Sequence, residues 1–148
     1  MTRKAAAAVP DLAALARAAQ ARAYAPYSGF RVGAALITRT GEVFTGSNVE
    51  NASYGLCVCA ERTAIVAMVH AGHRDIAELW VATDIAPPAS PCGMCRQTLL
   101  EFAADPETTR VVAIGPGAAK VEWTVAALIP AGFTGKQLTP PPPRKRAR

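Results

Sequence analysis

Two short cysteine-bearing segments constrain this chain more than any other feature: Cys59-Ala60-Glu61 and Pro91-Cys92-Gly93-Met94-Cys95. Each stands where a loop gives way to a helical pattern. Cys92 and Cys95 are three residues apart, which puts both on one side of a first helical turn. Cys59 opens a helix of its own. The dipole and free N–H groups at a helix start lower a thiol's pKa. Three thiols so placed are ready to become thiolates and hold a soft divalent ion. Zinc suits that donor set, being tetrahedral, thiolate-tolerant and redox-silent. Three protein ligands leave a fourth position for solvent, which marks a catalytic rather than a structural site. Glu61, two residues beyond Cys59, is placed for acid/base work there without ligating the metal.

Zinc with three thiolates carries a net charge of −1, so something must withdraw charge if solvent at the fourth position is to be acidic. The two helix N-termini help. Arg62 follows Glu61 and Arg96 follows Cys95, and either guanidinium can donate to a sulfur. Two other readings compete. Cys57 as a fourth thiolate would close the site, but C-x-C is tighter than the usual structural pair and leaves Glu61 without a role. A redox Cys92-x-x-Cys95 pair leaves Cys59 and Glu61 unexplained.

The chain has 148 residues, which fits one domain with a real core. Hydrophobic residues make up 51% and charged residues 18%, which excludes bulk disorder. The formal charge of +5 is concentrated at the end, where Arg144, Lys145, Arg146 and Arg148 follow a run of prolines. Without those four, 12 basic residues face 11 acidic ones. Such a body lacks the basic face of a nucleic-acid-binding domain, so no nucleic-acid partner is expected. No run approaches the roughly 18 apolar residues of a membrane span. Pro10, Asp11 and Arg17 break any secretory core after Arg3 and Lys4, and the Ala-rich start only faintly resembles a mitochondrial transit peptide. The expectation is therefore a reducing, cytoplasmic setting in which thiols serve as ligands.

Residues 1–10 read as a flexible lead, 11–135 as one catalytic domain, and 136–148 as a Pro-rich, basic, polyproline-like tail. Asp11–Ala23 reads as an amphipathic helix with Asp11 as N-cap. Phe30–Thr38 and Glu42–Gly46 read as strands joined by a turn at Arg39–Gly41. Helices are expected at Cys59–Ala71 and Cys92–Ala103, and strands at Leu79–Thr83, Arg110–Ile114 and Lys120–Trp123. A last helix is capped by Thr124 and stopped at Pro130. Trp80 and Trp123 read as core, and His70 and His73 as surface residues near a helix end. A hairpin followed by strands alternating with helices implies an α/β fold: a three-layer α/β/α sandwich with a mixed sheet of about five strands.

Zinc deaminases carry H-x-E…P-C-x-x-C, with a variant whose ligands are three cysteines. This sequence resembles that variant, the small homotetrameric cytidine deaminases of the cytidine and deoxycytidylate deaminase superfamily. The resemblance spans about residues 12–133. It rests on Ala25-Pro26-Tyr27-Ser28-x-Phe30-x-Val32-Gly33-Ala34-Ala35, Asn48-Val49-Glu50-Asn51-Ala52-Ser53-Tyr54-Gly55, Cys59-Ala60-Glu61-Arg62-Thr63-Ala64 and Pro91-Cys92-Gly93-x-Cys95-Arg96-Gln97. The lead, the tail and the stretch around Ala131–Phe133 depart from the pattern. The resemblance implies hydrolytic deamination of cytidine and deoxycytidine in pyrimidine salvage, with one zinc per subunit. It implies Cys59, Cys92 and Cys95 as ligands, Glu61 as proton shuttle and Arg62 as the group tempering thiolate charge. It implies Asn48 and Glu50 at the ribose 3′-hydroxyl, the Ala60 backbone at the pyrimidine 2-carbonyl, and Phe30 on the base. Tyr54 and Phe133 would complete a neighbouring subunit's pocket in a homotetramer. Read on their own, Asn48 and Glu50 equally fit a loop whose side chains bond the backbone, and Phe30 fits a core residue. A buried Glu50 carboxylate would accept from a free hydroxyl and repel a 3′-phosphate. A related deaminase acting on another aminated nucleoside or base, and a non-catalytic zinc-stapled interaction protein, are the alternatives.

Overall fold

A computed structural model describes residues 10–138. Alternation within the strands sets the architecture. Strand β1 (Gly33–Thr38) places Ala34 and Leu36 on one face and Ala35 and Ile37 on the other, and both sets are apolar. Such a strand must be covered on both sides. Helix α1 (Leu12–Gln20) covers one face, with Leu12 and Ala16 against Ala35 and Ala82. The other face meets α2 (Ala60–His70), α3 (Gly93–Phe102) and α4 (Val125–Leu128). There Ile65, Met68, Leu99 and Val125 pack on Leu36, Leu79 and Val111.

The sheet has five strands in the order β2-β1-β3-β4-β5, with β2 at Val43–Ser47, β3 at Ile76–Ala82, β4 at Arg110–Ile114 and β5 at Lys120–Thr124. β1 runs antiparallel to β2 and β3, β4 antiparallel to β5, and β3 parallel to β4. Parallel neighbours need a crossover, and α3 supplies it. This is the mixed three-layer sandwich expected from the order of elements. The hairpin turn also falls at Arg39–Gly41, where Gly41 adopts φ +96.

Several expectations shift for local reasons. Asp11 caps α1 by accepting from the Ala14 N–H at 3.0 Å. The helix ends at Gln20 rather than Ala23. Just beyond, Tyr24 pairs with the next loop, its N–H donating to the Asn48 carbonyl at 3.0 Å. β1 starts at Gly33, not Phe30, because the Asn48 side chain takes up the Phe30 carbonyl and the Val32 N–H. β3 begins at Ile76, which pairs with Thr38 across a register shift. Trp80 and Trp123 are half-buried, not core. Trp80 packs beside Leu12 and Ala16 of α1 and is also met by Lys120, whose Nζ lies 5.0 Å from the ring centroid. Trp123 sits on the edge strand β5.

Two glycines allow the layers to close. A Cβ on Gly33 would stand 2.7 Å from Gln20 Cα, and one on Gly46 would stand 2.6 Å from the Ala60 carbonyl oxygen. The second contact seats the first turn of α2 against β2. Among the described residues no helix is long and apolar enough to cross a membrane. The expected lead and tail lie outside the described residues except for Pro10 and Lys136–Leu138. Gly135–Gln137 forms a 3-10 turn capped by Thr134.

Candidate active site

Cys59 and Cys92 are the N-cap residues of α2 and α3, with extended backbone at φ −73, ψ 154 and φ −67, ψ 167. An N-cap side chain normally accepts from its own helix. Neither sulfur does so. They meet instead, Sγ to Sγ at 3.7 Å. Cys95 is buried in the first turn of α3, and the three sulfurs lie within 4.8 Å of one another. With Zn–S near 2.3 Å, two sulfurs on one tetrahedral zinc stand about 3.8 Å apart. The cluster therefore fits one zinc, the expected cofactor.

Cys57 stands apart. Its sulfur accepts from the Asn51 N–H at 3.3 Å and is not in the cluster. The four-thiolate reading fails because this side chain closes its own loop.

Cys59, Cys95 and Glu61 perturb one another. The Cys59 thiol is pulled down to about 5, first by a hydrogen bond from Cys95 and then by Arg62. The Cys95 thiol is pushed up because it is the donor in that bond. Glu61 is only 5% exposed, and burial pushes its carboxyl up to about 7, with the Cys59 charge adding to the shift. A carboxyl poised near neutrality is what proton shuttling requires.

The two arginines divide. Arg62 Nη2 donates to the Cys57 carbonyl at 3.2 Å and lies 4.0 Å from Cys59 Sγ. Arg96 touches no sulfur. It donates to the Pro91 carbonyl at 2.7 Å, the Leu128 carbonyl at 3.1 Å and the Ser90 hydroxyl at 2.8 Å. The expectation that either could reach a thiolate holds for Arg62 alone.

A cavity of about 180 Å³ opens beside the sulfurs. It brings together Phe30, Asn48, Cys59, Ala60, Glu61 and Cys92. A neighbouring recess of about 260 Å³ holds Glu50 and Tyr54, with Tyr27, Ser28 and Cys57. Phe133 lines neither; it is exposed, and its carbonyl accepts from Gln97 Nε2 at 2.7 Å.

Asn48 and Glu50 both make the local bonds that the sequence left open. Asn48 Oδ1 accepts from the Val32 N–H at 2.8 Å, and Nδ2 donates to the Phe30 carbonyl at 2.8 Å. A side-chain amide has two lone pairs and two N–H groups, so half its capacity is unspent. Glu50 accepts from the Tyr27 N–H at 2.8 Å, the Ser28 N–H at 3.2 Å and the Ser28 hydroxyl. It is half-exposed rather than buried, and the Ser28 hydroxyl holds its carboxyl below the usual range.

Sequence reasoning missed Ser28 as the partner of Glu50, and Thr83 and Ser90 in the cavity wall. A usable signal existed for Thr83. It stands just past the C-terminal end of β3, and ligand crevices in open α/β sheets form outside those ends.

Known proteins carry the same pattern. A family model described as the cytidine and deoxycytidylate deaminase zinc-binding region matches residues 9–112. A cytidine deaminase of Halalkalibacterium halodurans is 45% identical over 123 residues, 82% of this chain and 92% of that protein. A solved cytidine deaminase from Burkholderia pseudomallei superposes with a TM-score of 0.78 at 44% identity, covering 90% of this chain and all of that one. The Mycobacterium leprae cytidine deaminase structure gives 0.66 at 39% identity, covering 80% of this chain and 94% of that one. With the three-sulfur cluster, the buried carboxyl beside it and a family match over most of its length, this chain belongs to the cytidine and deoxycytidylate deaminase family.

Proposed function

We propose that this protein hydrolyses cytidine, and deoxycytidine with it, to uridine or deoxyuridine and ammonia. The observation that carries the reading is a buried carboxyl, Glu61, in one cavity with Cys59 and Cys92, two members of the three-sulfur cluster. Cys59, Cys92 and Cys95 would hold zinc, which when bound supplies Lewis-acid activation of the attacking water. Glu61 accepts a proton from that water and passes it to the ring nitrogen at position 3. The amino-bearing ring carbon becomes electrophilic, and the water oxygen adds to it. Glu61 then moves the second proton from this oxygen to the amino group. The carbon–nitrogen bond breaks, ammonia leaves and the ring keeps a carbonyl.

The remaining chain supplies binding. Ala60 is the first residue of α2, where a backbone N–H has no partner within the helix and can receive the pyrimidine 2-carbonyl. Phe30 packs on the base. The unspent N–H of Asn48 and the ionised Glu50 take the ribose 3′-hydroxyl, and the Glu50 charge disfavours a 3′-phosphate. Free nucleosides are therefore preferred to polynucleotides. Arg62 tempers the thiolate charge from its place 4.0 Å from Cys59 Sγ. Tyr54 is 75% exposed and Phe133 55% exposed on this subunit, which supports their serving a neighbour's cavity in a homotetramer. Reduced thiols of this kind suit the cytoplasm.

The test is loss of ultraviolet absorbance when purified protein meets cytidine, with and without a zinc chelator. Adenosine, guanine and a cytidine-containing oligomer are run alongside. Turnover of cytidine alone, abolished by chelation, is the expected result. Ammonia release from adenosine or guanine in place of cytidine would overturn the substrate assignment.

A further inference from the structure

Thr83 follows β3 directly and is 1% exposed. Its backbone is held from two sides. The N–H donates to the Ile114 carbonyl at 2.9 Å, and the carbonyl accepts from Arg17 Nη1 at 2.9 Å. A β-branched side chain on a fixed backbone has few χ1 choices. Thr83 is part of the wall of the cavity shared by Glu61, Cys59 and Cys92. Its hydroxyl is buried and finds no hydrogen-bond partner among the described residues. The only other such atom among them is Arg62 Nε, which belongs to a guanidinium bonded through Nη2.

A buried hydroxyl without a partner is costly, and native interiors rarely tolerate one. Valine has nearly the same shape and would fill the wall at no such cost. The neighbouring wall residues Val32 and Val81 are apolar already. A hydroxyl kept here is explained by what enters the cavity. Thr83 is fully buried and shares its cavity with Glu61 and Cys59, whereas the half-exposed Glu50 lines the neighbouring recess, so Thr83 belongs to the inner, heterocycle end rather than the sugar end. A hydroxyl can give as well as accept, so it serves an aminated ring and its carbonyl product alike.

We propose that Thr83 Oγ1 is a specificity-determining contact for the polar edge of the bound nucleobase, made directly or through one buried water. Arg17 is the positioning residue that fixes Thr83 through its carbonyl. The inference rests on the cavity being the nucleoside pocket.

The test compares Thr83→Val and Thr83→Ser with the wild type in zinc-loaded protein. Three quantities are read: KM and kcat for cytidine, equilibrium binding of uridine, and the melting temperature without ligand. Thr83→Val is expected to weaken cytidine KM and uridine Kd about tenfold, with Thr83→Ser restoring most of the loss. Zinc content should hold, and the ligand-free melting temperature should stay level or rise, since an unpaired hydroxyl has been removed. KM and Kd within twofold of the wild type overturn the proposal, and so does a lowered ligand-free melting temperature with binding unchanged. If Thr83→Val does not fold, Thr83→Ala is read against the same outcomes. Wild-type protein that fails on cytidine overturns the cavity reading and this inference with it; wild-type turnover with an indifferent Thr83→Val overturns this inference alone.

Discussion

Helices α2 and α3 begin alike and do different work. Each is N-capped by a cysteine whose sulfur ignores its own helix, and each carries an arginine near its first turn. Arg62 comes three residues after Cys59, and Arg96 four after Cys92. Both spacings leave the arginine on its cysteine's side of the helix, yet only Arg62 reaches its sulfur, while Arg96 turns to Pro91, Ser90 and the end of α4. The start of α2 also holds an acid in its first turn, and the start of α3 holds none. On the proposed function the α2 start would carry the proton chemistry, whereas the α3 start holds two sulfurs and the bracing arginine. The partners within reach separate the two: the Cys57 carbonyl takes Arg62, and Pro91, Ser90 and Leu128 take Arg96.

That division can be broken experimentally. Cys95→Ser should abolish zinc binding and turnover together, as metal analysis and the cytidine assay will report. Glu61→Gln should keep zinc and fold while turnover falls by about 10²–10⁴. Full activity in that variant would remove Glu61 from the chemistry. Arg62→Gln should weaken zinc by about 10–100-fold and move the pH–rate profile. Arg96→Gln should leave the profile in place and lower stability by about 1–3 kcal/mol, since three acceptors lose their donor. An equal shift of the profile in both arginine variants would erase the distinction between the two helix starts.

The smallest effect is a pH dependence in chelated protein. Burial pushes the Glu61 carboxyl from its ordinary 4.5 up to about 7, so the folded state binds more protons between those values. Its contribution to stability falls as pH rises through that window. The melting temperature of chelated Glu61→Gln should therefore gain on the wild type between pH 5 and 7.5. A constant difference would mean that burial does not perturb this carboxyl.

The apolar alternation of β1 and the cysteines at two helix starts were legible in the sequence, because period and spacing are local. The partners of Arg62 and Arg96 were not. Those arginines stand in similar sequence surroundings, and the choice depends on where Leu128 and Ser90 end up in space. Asn48 shows the same limit. Its side chain crosses to Phe30 and Val32, 16 to 18 positions away, and so delays the start of β1. Trp80 is only half-buried because its ring, packed beside Leu12 and Ala16 of α1, also meets Lys120 from β5, a long-range partner that hydrophobicity alone does not reveal.

Gly46 has a consequence out of proportion to its size. The first turn of α2 rests on the bare backbone of β2 at that point, so one missing carbon fixes how deep the reaction chamber sits. Any larger residue would lift α2 and carry Cys59 and Glu61 away from the sulfurs of α3 as one unit. The catalytic spacing of this fold is thus gauged from behind, by a residue on the sheet that never touches the ion or the nucleoside.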